Sequence, residues 1–168
     1  MSVLTKNEIL KRLKKGEIKI EPLNEKNIGP GSIDLTLDNE FRMFNNKNKK
    51  IILDEKTDYK DYTEIKKGPV VLNPGEFILG ITKEKIKLPP NLCGMLSGRS
   101  RFARMGIIVH ATASFIQPGI NNKQVLEIYN LSKKKIVLNP GLKICQLSIL
   151  KCEGKALYKG RFAKQTNV

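Results

Sequence analysis

Residues 95–146 read MLSGRSRFARMGIIVHATASFIQPGINNKQVLEIYNLSKKKIVLNPGLKICQ, and this stretch decides the fold. It opens with SGRSRFAR at 97–104, a short helical window that holds three arginines, and it passes through the turn IQPG at 116–119. Glu127 then stands in the middle of the apolar strand pattern VLEIY. A carboxylate among apolar residues loses its hydration, which is costly unless the protein uses it. Cations close to a single acid therefore indicate an anionic ligand beside a proton-transfer group.

Short apolar runs separated by Pro-Gly turns continue on both sides of this stretch. Many short strands with this punctuation are typical of an all-β barrel or sandwich, so we predict a mainly β fold. The length of 168 residues fits one domain, which we assign to residues 1–157. The candidate strands are residues 18–20, 32–37, 40–44, 50–53, 70–72, 77–82, 93–96, 107–109, 125–129, 136–138 and 146–150.

Three further segments complete the predicted organisation. Thr5 and Glu8 have capping-box spacing at the start of an N-terminal helix, which Gly16 ends. Residues 54–69 are the most polar stretch and predict a surface loop. Residues 158–168 have no core-forming period and predict a C-terminal arm, a candidate mobile lid over the ligand.

A repeated phrase and a lysine run also carry structural expectations. VLNPG occurs at 71–75 and again at 137–141, which indicates similar corners of a pseudo-repeated sheet. Three lysines at 133–135 stand between two candidate strands and predict a hairpin tip. That position suits solvation as well as ligand binding.

Composition limits the class of protein. The formal charge is +15, from 31 basic and 16 acidic residues, which favours polyanionic partners or simply a lysine-rich surface. No apolar run approaches the roughly 18–20 residues of a membrane span, so no membrane partner is expected. The N-terminus is too polar for a signal peptide. Three cysteines without a C-x-x-C pair argue against a disulfide framework and favour the cytoplasm.

The basic window is a candidate phosphate site. Ser100 and Arg104 are four residues apart and share one helical face, and Arg99 stands beside them. Phosphate binding needs this mixture of hydroxyl, guanidinium and backbone donors. The alternative is an exposed basic helix with Phe102 packed inward. The spacing alone leaves both interpretations open.

Glu127 has two interpretations of the same kind. As a functional residue it would be a general base or acid, with a pKa that partial burial raises toward neutrality. The alternative is an acid at a barrel rim, paired with a lysine. His110, the one histidine, ends the apolar run IIVH and is expected to be structural. No metal site is predicted, because the zinc deaminase pattern of H-x-E with P-C-x-x-C does not occur.

Taken together, GRSRFARMGIIVHATASFIQPG at 98–119, QVLEIYN at 124–130 and LNPGLKICQL at 138–147 resemble the core of the dCTP deaminase family, a branch of the dUTPase-like superfamily. GPGSIDLTL at 29–37 is similar to the family's P-x-S-x-D-L-R-L strand. The resemblance implies a distorted β-barrel or jelly-roll with a short helix near 98–105. It also implies a homotrimer whose active sites lie between subunits.

The resemblance further implies a reaction and its residues: dCTP and water give dUTP and ammonia without zinc, in the supply of dUMP and dTTP precursors. Glu127 matches the catalytic glutamate, and Ser100 and Arg104 match residues that hold the water, the base edge and the phosphates. Mg²⁺ would be carried by the substrate triphosphate. dTTP is a candidate inhibitor, and nucleic acid is not expected as a partner. The implied nucleotide contacts are Arg99, Ser100, Arg104, Ala113, Gln117 and, from a tail that covers the phosphates, Tyr158, Arg161 and Gln165.

Two departures from the family pattern keep alternatives open. The turn usually reads I-D-P-G or I-D-A-G, but here Gln117 replaces the aspartate, and Phe115 stands where many members have a basic residue. Glutamine forms hydrogen bonds to a sugar hydroxyl but does not act as a carboxylate base. The alternatives to a deaminase are therefore a bifunctional enzyme that also cleaves dUTP to dUMP, or a non-catalytic relative that binds nucleotide or nucleic acid.

Overall fold

The computed structural model describes residues 2–45 and 50–168. Two short 3₁₀ turns, at Glu25–Asn27 and Tyr59–Asp61, accompany the regular helices and strands in these ranges. The helices are α1 (Lys6–Lys14) and α2 (Ser100–Ala103), and the strands are β1 (Lys19–Glu21), β2 (Ile33–Phe44), β3 (Thr63–Lys67), β4 (Val70–Leu72), β5 (Phe77–Lys87), β6 (Leu92–Gly98), β7 (Ile107–Val109), β8 (Phe115–Ile116), β9 (Asn121–Asn130), β10 (Ile136–Leu138) and β11 (Lys143–Lys151).

Nine of the described strands form one antiparallel sheet, in the order β7-β9-β5-β2-β11-β6-β8, with β1 added to β5 and β3 added to β2. The pairing register shifts between Leu37 and Phe41 in β2, and between Ile81 and Lys85 in β5. Such irregularities bend a strand and increase its twist, so the sheet curls into a half-barrel. The predicted mainly β, barrel-like fold with two short helices is confirmed.

The concave side of the sheet holds the hydrophobic core. Along β2, Ile33, Leu35 and Leu37 are buried while the residues between them are half-buried, as the two-residue period of a strand requires. Phe41 is the largest fully buried side chain, and Ile9 of α1 packs into the same core. Each such side chain contributes about 1.5–3 kcal/mol by leaving water.

Several strand boundaries differ from the predicted ones. The candidate strands 32–37 and 40–44 are one continuous strand, β2. Residues 50–53 form no strand, and Ile52 and Leu53 are 70% and 83% exposed, so this apolar run is not part of the core. The predicted loop 54–69 is partly wrong, because it contains β3. Only the first residue of β3, Thr63, is buried. The strand therefore lacks the apolar alternation that would have predicted it from the sequence.

The repeated phrase VLNPG runs from a strand into a turn in both copies, but its strands form a sheet of their own rather than similar corners of the larger sheet. Its two copies begin within β4 and β10, which pair with each other as a separate two-stranded sheet, with Val71 opposite Val137. The buried Asn130 fixes the approach to this sheet, because its amide donates to the carbonyls of Leu72 (3.0 Å) and Lys134 (2.8 Å). Since β9 pairs with β5 and β7 rather than with β10, the lysines at 133–135 are not a hairpin tip.

The N-terminal helix is confirmed, but its predicted cap is not. Thr5 makes no side-chain capping bond, and Glu8 instead pairs with Lys11 (3.5 Å) and Arg12 (3.8 Å). Gly16 follows the helix with a φ of 70°, a left-handed conformation that favours glycine. In the described parts of the chain, no helix is long and apolar enough to cross a membrane.

Candidate active site

A cavity of about 530 Å³ opens between β9, the loop that follows β7, and the C-terminal segment. β9 supplies much of its wall because alternate residues of this strand, Val125 and Glu127, face the cavity, as the alternation predicts, while Leu126 and Ile128 face the core. Four of the residues implied by the resemblance also line it: Ala113, Gln117, Tyr158 and Gln165.

The carboxylate of Glu127 is held by the loop that follows β7. Its Oε2 atom accepts hydrogen bonds from the backbone N–H of Thr112 (2.6 Å), from the Thr112 hydroxyl (2.9 Å) and from the backbone N–H of Ala113 (3.4 Å). The side chain is 19% exposed, and the ionisable group beside it is His110, whose Nδ1 lies 4.0 Å from Oε2, rather than a lysine. The structure therefore favours the cavity interpretation over a lysine-paired acid at the rim.

The pKa of Glu127 lies below its ordinary value, which corrects the expected rise. Burial acts to raise this pKa, but the two hydrogen bonds from Thr112, the nearby His110 and the Ala113 N–H together lower it by more. Donors aimed at a carboxylate stabilise its charged form. Glu127 is thus ionised at neutral pH and available to accept a proton.

His110 connects the strand to this loop. Its φ of 76° is left-handed, an uncommon conformation for a residue with a Cβ, and it turns the chain so that Thr112 returns over Glu127. Its N–H donates to the carbonyl of Glu127 (2.9 Å), and its Nδ1 accepts from the Glu127 N–H (3.4 Å). Burial lowers the pKa of His110 although Glu127 acts to raise it. The His110 ring is 6% exposed, and its Nδ1 lies 4.0 Å from Oε2 of Glu127. The histidine that was expected to be structural therefore lies beside the acid.

The C-terminal segment closes another side of the cavity. Tyr158 donates its N–H to the carbonyl of Pro118 (3.0 Å), and Asn122 donates its amide to the carbonyl of Phe162 (2.8 Å). The carbonyl of Gln165 accepts from the N–H of Lys123 (3.0 Å). These bonds dock residues 158–165 against the turn before β9 and against β9 itself. Whether the segment opens as a lid stays a prediction.

The predicted cations lie outside this cavity in the single chain. Arg99 donates to the carbonyl of Lys143 (2.8 Å) and pairs with Asp34 (3.0 Å). Ser100 and Arg104 are exposed at the two ends of α2, and neither lines the cavity. Arg161 lines a smaller adjoining cavity and pairs with Asp58. Within one subunit the acid and the basic window are therefore not brought together.

Aromatic side chains form a wall that sequence analysis missed. They come from five separate segments, so no local pattern joins them. Two of them gave a signal in the sequence: Phe115 as a departure from the family pattern, and Tyr158 as an implied nucleotide contact. Phe44 and Phe77 lie with their ring centroids 6.1 Å apart. Flat apolar surfaces of this kind suit a planar heterocyclic ring. The aromatic residues of the cavity are Phe44, Tyr59, Phe77, Phe115, Tyr158 and Phe162.

The cysteines are free thiols. Cys145 is fully buried in β11, and burial raises its pKa well above the ordinary value. Burial and a contact with Cys152 raise the pKa of Cys93 to about 11. Over residues 2–45 and 50–168, no three histidine, cysteine or acidic side chains are grouped so that they could hold a metal ion.

Thr112→Val tests the hydrogen bonds that hold the acid. Valine keeps the shape and the backbone N–H but removes the hydroxyl, so we expect the pKa of Glu127 to rise toward its ordinary value. The carboxyl ¹³C shift of Glu127, followed by NMR across an acid titration, measures it. Thr112→Ser keeps the hydroxyl and serves as the control. An unchanged pKa in Thr112→Val would show that the hydroxyl does not tune the acid.

Comparisons with known proteins identify the family of the chain. A family model described as dCTP deaminase-like matches residues 3–152. The protein named "dCTP deaminase, dUMP-forming" from Dictyoglomus thermophilum is 39% identical over 160 residues, which cover 92% of this chain and 82% of that protein. The "dCTP deaminase" of Natronomonas pharaonis is 38% identical over 161 residues, with coverages of 92% and 83%.

A solved structure extends the comparison to the fold. The crystal structure of 2'-deoxycytidine 5'-triphosphate deaminase from Agrobacterium tumefaciens superposes with a TM-score of 0.69 at 19% identity over 90% of this chain. The match covers 48% of that longer protein, so this chain spans about half its length. At this identity the structural likeness shows the fold alone. The family model and the curated relatives show the family: the chain belongs to the dCTP deaminase-like family.

Proposed function

We propose that the protein catalyses the hydrolytic deamination of dCTP to dUTP and ammonia, with Glu127 as the general base and without zinc. The observation that carries this proposal is the carboxylate of Glu127, ionised and fixed by Thr112 on the wall of an aromatic cavity. The names of the relatives supply the substrate, and their similarity spans most of the chain.

The proposed chemistry needs one proton carrier. The hydrogen bonds to the Glu127 carboxylate recorded among the described residues go to Oε2, which leaves Oε1 to take a proton from water as that water attacks C4 of cytosine. Glu127 passes this proton to N3, then takes the second proton from the new C4 hydroxyl and passes it to the amine, so that ammonia leaves and the C4 carbonyl forms. Proton transfer by a positioned side chain contributes about 10²–10⁴-fold to such a rate.

The remaining contacts of this proposal divide between base, sugar and phosphates. The backbone of Ala113 reads the pyrimidine edge, and Gln117 forms a hydrogen bond to the sugar hydroxyl. The tail residues Tyr158, Arg161 and Gln165 face the phosphates. Mg²⁺ arrives with the triphosphate as part of the substrate. A nucleotide substrate of this kind places the proposed activity in the cytoplasm.

A second subunit completes the site in this proposal. Ser100 and Arg104 are exposed and outside the cavity of their own chain, which supports a role in the cavity of a neighbour. We propose a homotrimer in which these residues hold the water and the nucleotide beside the neighbour's Glu127. Arg99 adds a phosphate contact from the same segment.

The second candidate function is a bifunctional enzyme that releases dUMP and pyrophosphate. The printed name of the Dictyoglomus relative favours it. Gln117 opposes it, because a carboxamide does not accept a proton from the water that attacks a phosphate. We therefore place dUTP first as the product.

Glu127→Gln tests the proposed base. The substitution keeps the size of the side chain but removes its basicity, so we expect kcat for dCTP to fall by about 10²–10⁴-fold. Ammonia release and the absorbance change from cytosine to uracil measure the reaction. Glu153→Gln, the same change at an exposed site, is expected to keep the wild-type rate. Equal rates in the two variants, or no conversion by the wild type, would reject the proposal.

The product distinguishes the two candidate functions. Anion-exchange chromatography of a completed reaction is expected to show one dUTP for each ammonia and no pyrophosphate. Gln117→Asp restores the carboxylate that is usual in the family, and we expect this variant to release measurable pyrophosphate from dUTP. Formation of dUMP by the wild-type protein would instead establish the bifunctional reaction.

Mixed oligomers test whether the site lies between subunits. Glu127→Gln and Arg104→Ala chains, each inactive alone, are co-expressed with different tags and purified through both. We expect activity to return, since about one site in three of the trimers that carry both tags combines an intact Glu127 with an intact Arg104 from the neighbour. Two Glu127→Gln chains with different tags provide the control. Inactive mixtures would place Glu127 and Arg104 in the same subunit's site.

A further inference from the structure

A second, smaller cavity adjoins the first and is basic. It has a volume of about 210 Å³ and shares Tyr59, Phe162 and Gln165 with the larger cavity. Lys60 and Arg161 stand on its wall together with Lys164. One side therefore comes from the 3₁₀ turn at Tyr59–Asp61, and the other comes from the C-terminal segment.

One acid lies between these two sides. The Oδ2 atom of Asp58 pairs with Nη2 of Arg161 at 2.5 Å, and its Oδ1 accepts from the backbone N–H of Lys60 at 3.0 Å. The Lys60 bond fixes the carboxylate as the cap of the 3₁₀ turn. That bond and the charge of Arg161 lower the pKa of Asp58 although desolvation acts to raise it, so the carboxylate is charged at neutral pH.

Arg42 contacts both segments that carry the Asp58–Arg161 pair. Its guanidinium lies 5.7 Å from the ring centroid of Tyr59 and donates to the hydroxyl of Thr63 (3.1 Å). Its Nε donates to the carbonyl of Val168 (2.8 Å), which belongs to the C-terminal segment. The turn and the C-terminal segment are thus joined at a second point, and this keeps Asp58 facing Arg161.

We propose that Asp58 is an internal counter-anion that competes with a triphosphate for Arg161 and so weakens the hold on triphosphate ligands. A guanidinium forms the same charge-assisted hydrogen bonds to a carboxylate as to a phosphate oxygen. A phosphate chain that reaches Arg161 must therefore either displace Asp58 from Nη2 or use the other N–H donors while it lies beside the negative charge of Asp58. This inference rests on the proposed function, because it assumes that the ligand of the larger cavity is a nucleoside triphosphate.

The chemical consequence concerns release as well as binding. Substrate and product of the proposed reaction carry the same three phosphates, so a phosphate site that holds dCTP strongly also retains dUTP. An acid that reoccupies Arg161 favours departure of the product. If Arg161 faces the outer phosphates, as the proposed function has it, a ligand with one phosphate does not depend on this exchange.

Asp58→Asn tests the inference, with Asp61→Asn as the matched control. Asparagine still accepts from the Lys60 N–H but carries no charge. Asp61 is exposed in the same turn and has no recorded side-chain partner among the described residues. Both variants and the reference protein carry Glu127→Gln to prevent turnover. Calorimetry gives the Kd values of dCTP, dUTP and dCMP for each of the three proteins at low and high salt.

We expect Asp58→Asn to lower the Kd of dCTP and dUTP by about two- to fivefold, the range for an exposed ion pair, and to leave dCMP unchanged. This gain in affinity for the triphosphates should disappear in high salt, which screens exposed charges. Equal Kd values in the Asp58 and Asp61 variants, or weaker triphosphate binding by Asp58→Asn, would overturn the role of Asp58 alone. No dCTP binding by any of the proteins would overturn the proposed function, and the role of Asp58 with it.

Discussion

The hydrogen bonds from Thr112 to Glu127 are the constraint on which the rest of the site depends. An ionised carboxylate on the wall of an aromatic cavity has lost much of its water and needs donors in exchange. Thr112 supplies two of them, at 2.6 Å and 2.9 Å, from a single residue. Because they act on the charged form, Glu127 combines partial burial with a lowered pKa. The result is a carboxylate that stays deprotonated at neutral pH.

The backbone around His110 makes this arrangement possible. β7 pairs with β9 up to Val109, and the N–H of His110 continues the ladder by donating to the carbonyl of Glu127. The left-handed conformation of His110 then turns the chain away from β9. Thr112 therefore faces the side chain of Glu127, the same residue whose carbonyl accepts from the His110 N–H. The backbone of Glu127 is thus held by His110, and its carboxylate is held by Thr112 two residues later.

The sequence predicted local features well and long-range ones poorly. Turns, the helices and most strands follow from periods of a few residues, and Glu127 was found because an acid interrupts an apolar strand. The direction of its pKa shift was wrong, since the donors come from a loop fifteen residues away and leave no mark on the strand pattern. β3 was missed for a related reason: it pairs along β2 with exposed side chains, so only its partner defines it.

The net charge shows why composition alone misleads about this site. A charge of +15 suggests a basic cavity, yet the larger cavity is mainly aromatic and aliphatic, and the charged side chain at its centre is an acid. Arg161 lines the smaller adjoining cavity and pairs with Asp58, whereas Arg99 pairs with Asp34 and lines neither cavity. Separation of this kind suits a ligand with a flat uncharged ring and an anionic chain. In the proposed role of Asp58, this acid limits how strongly the anionic chain is held at Arg161, so that affinity depends on the exchange of partners as well as on the number of positive charges.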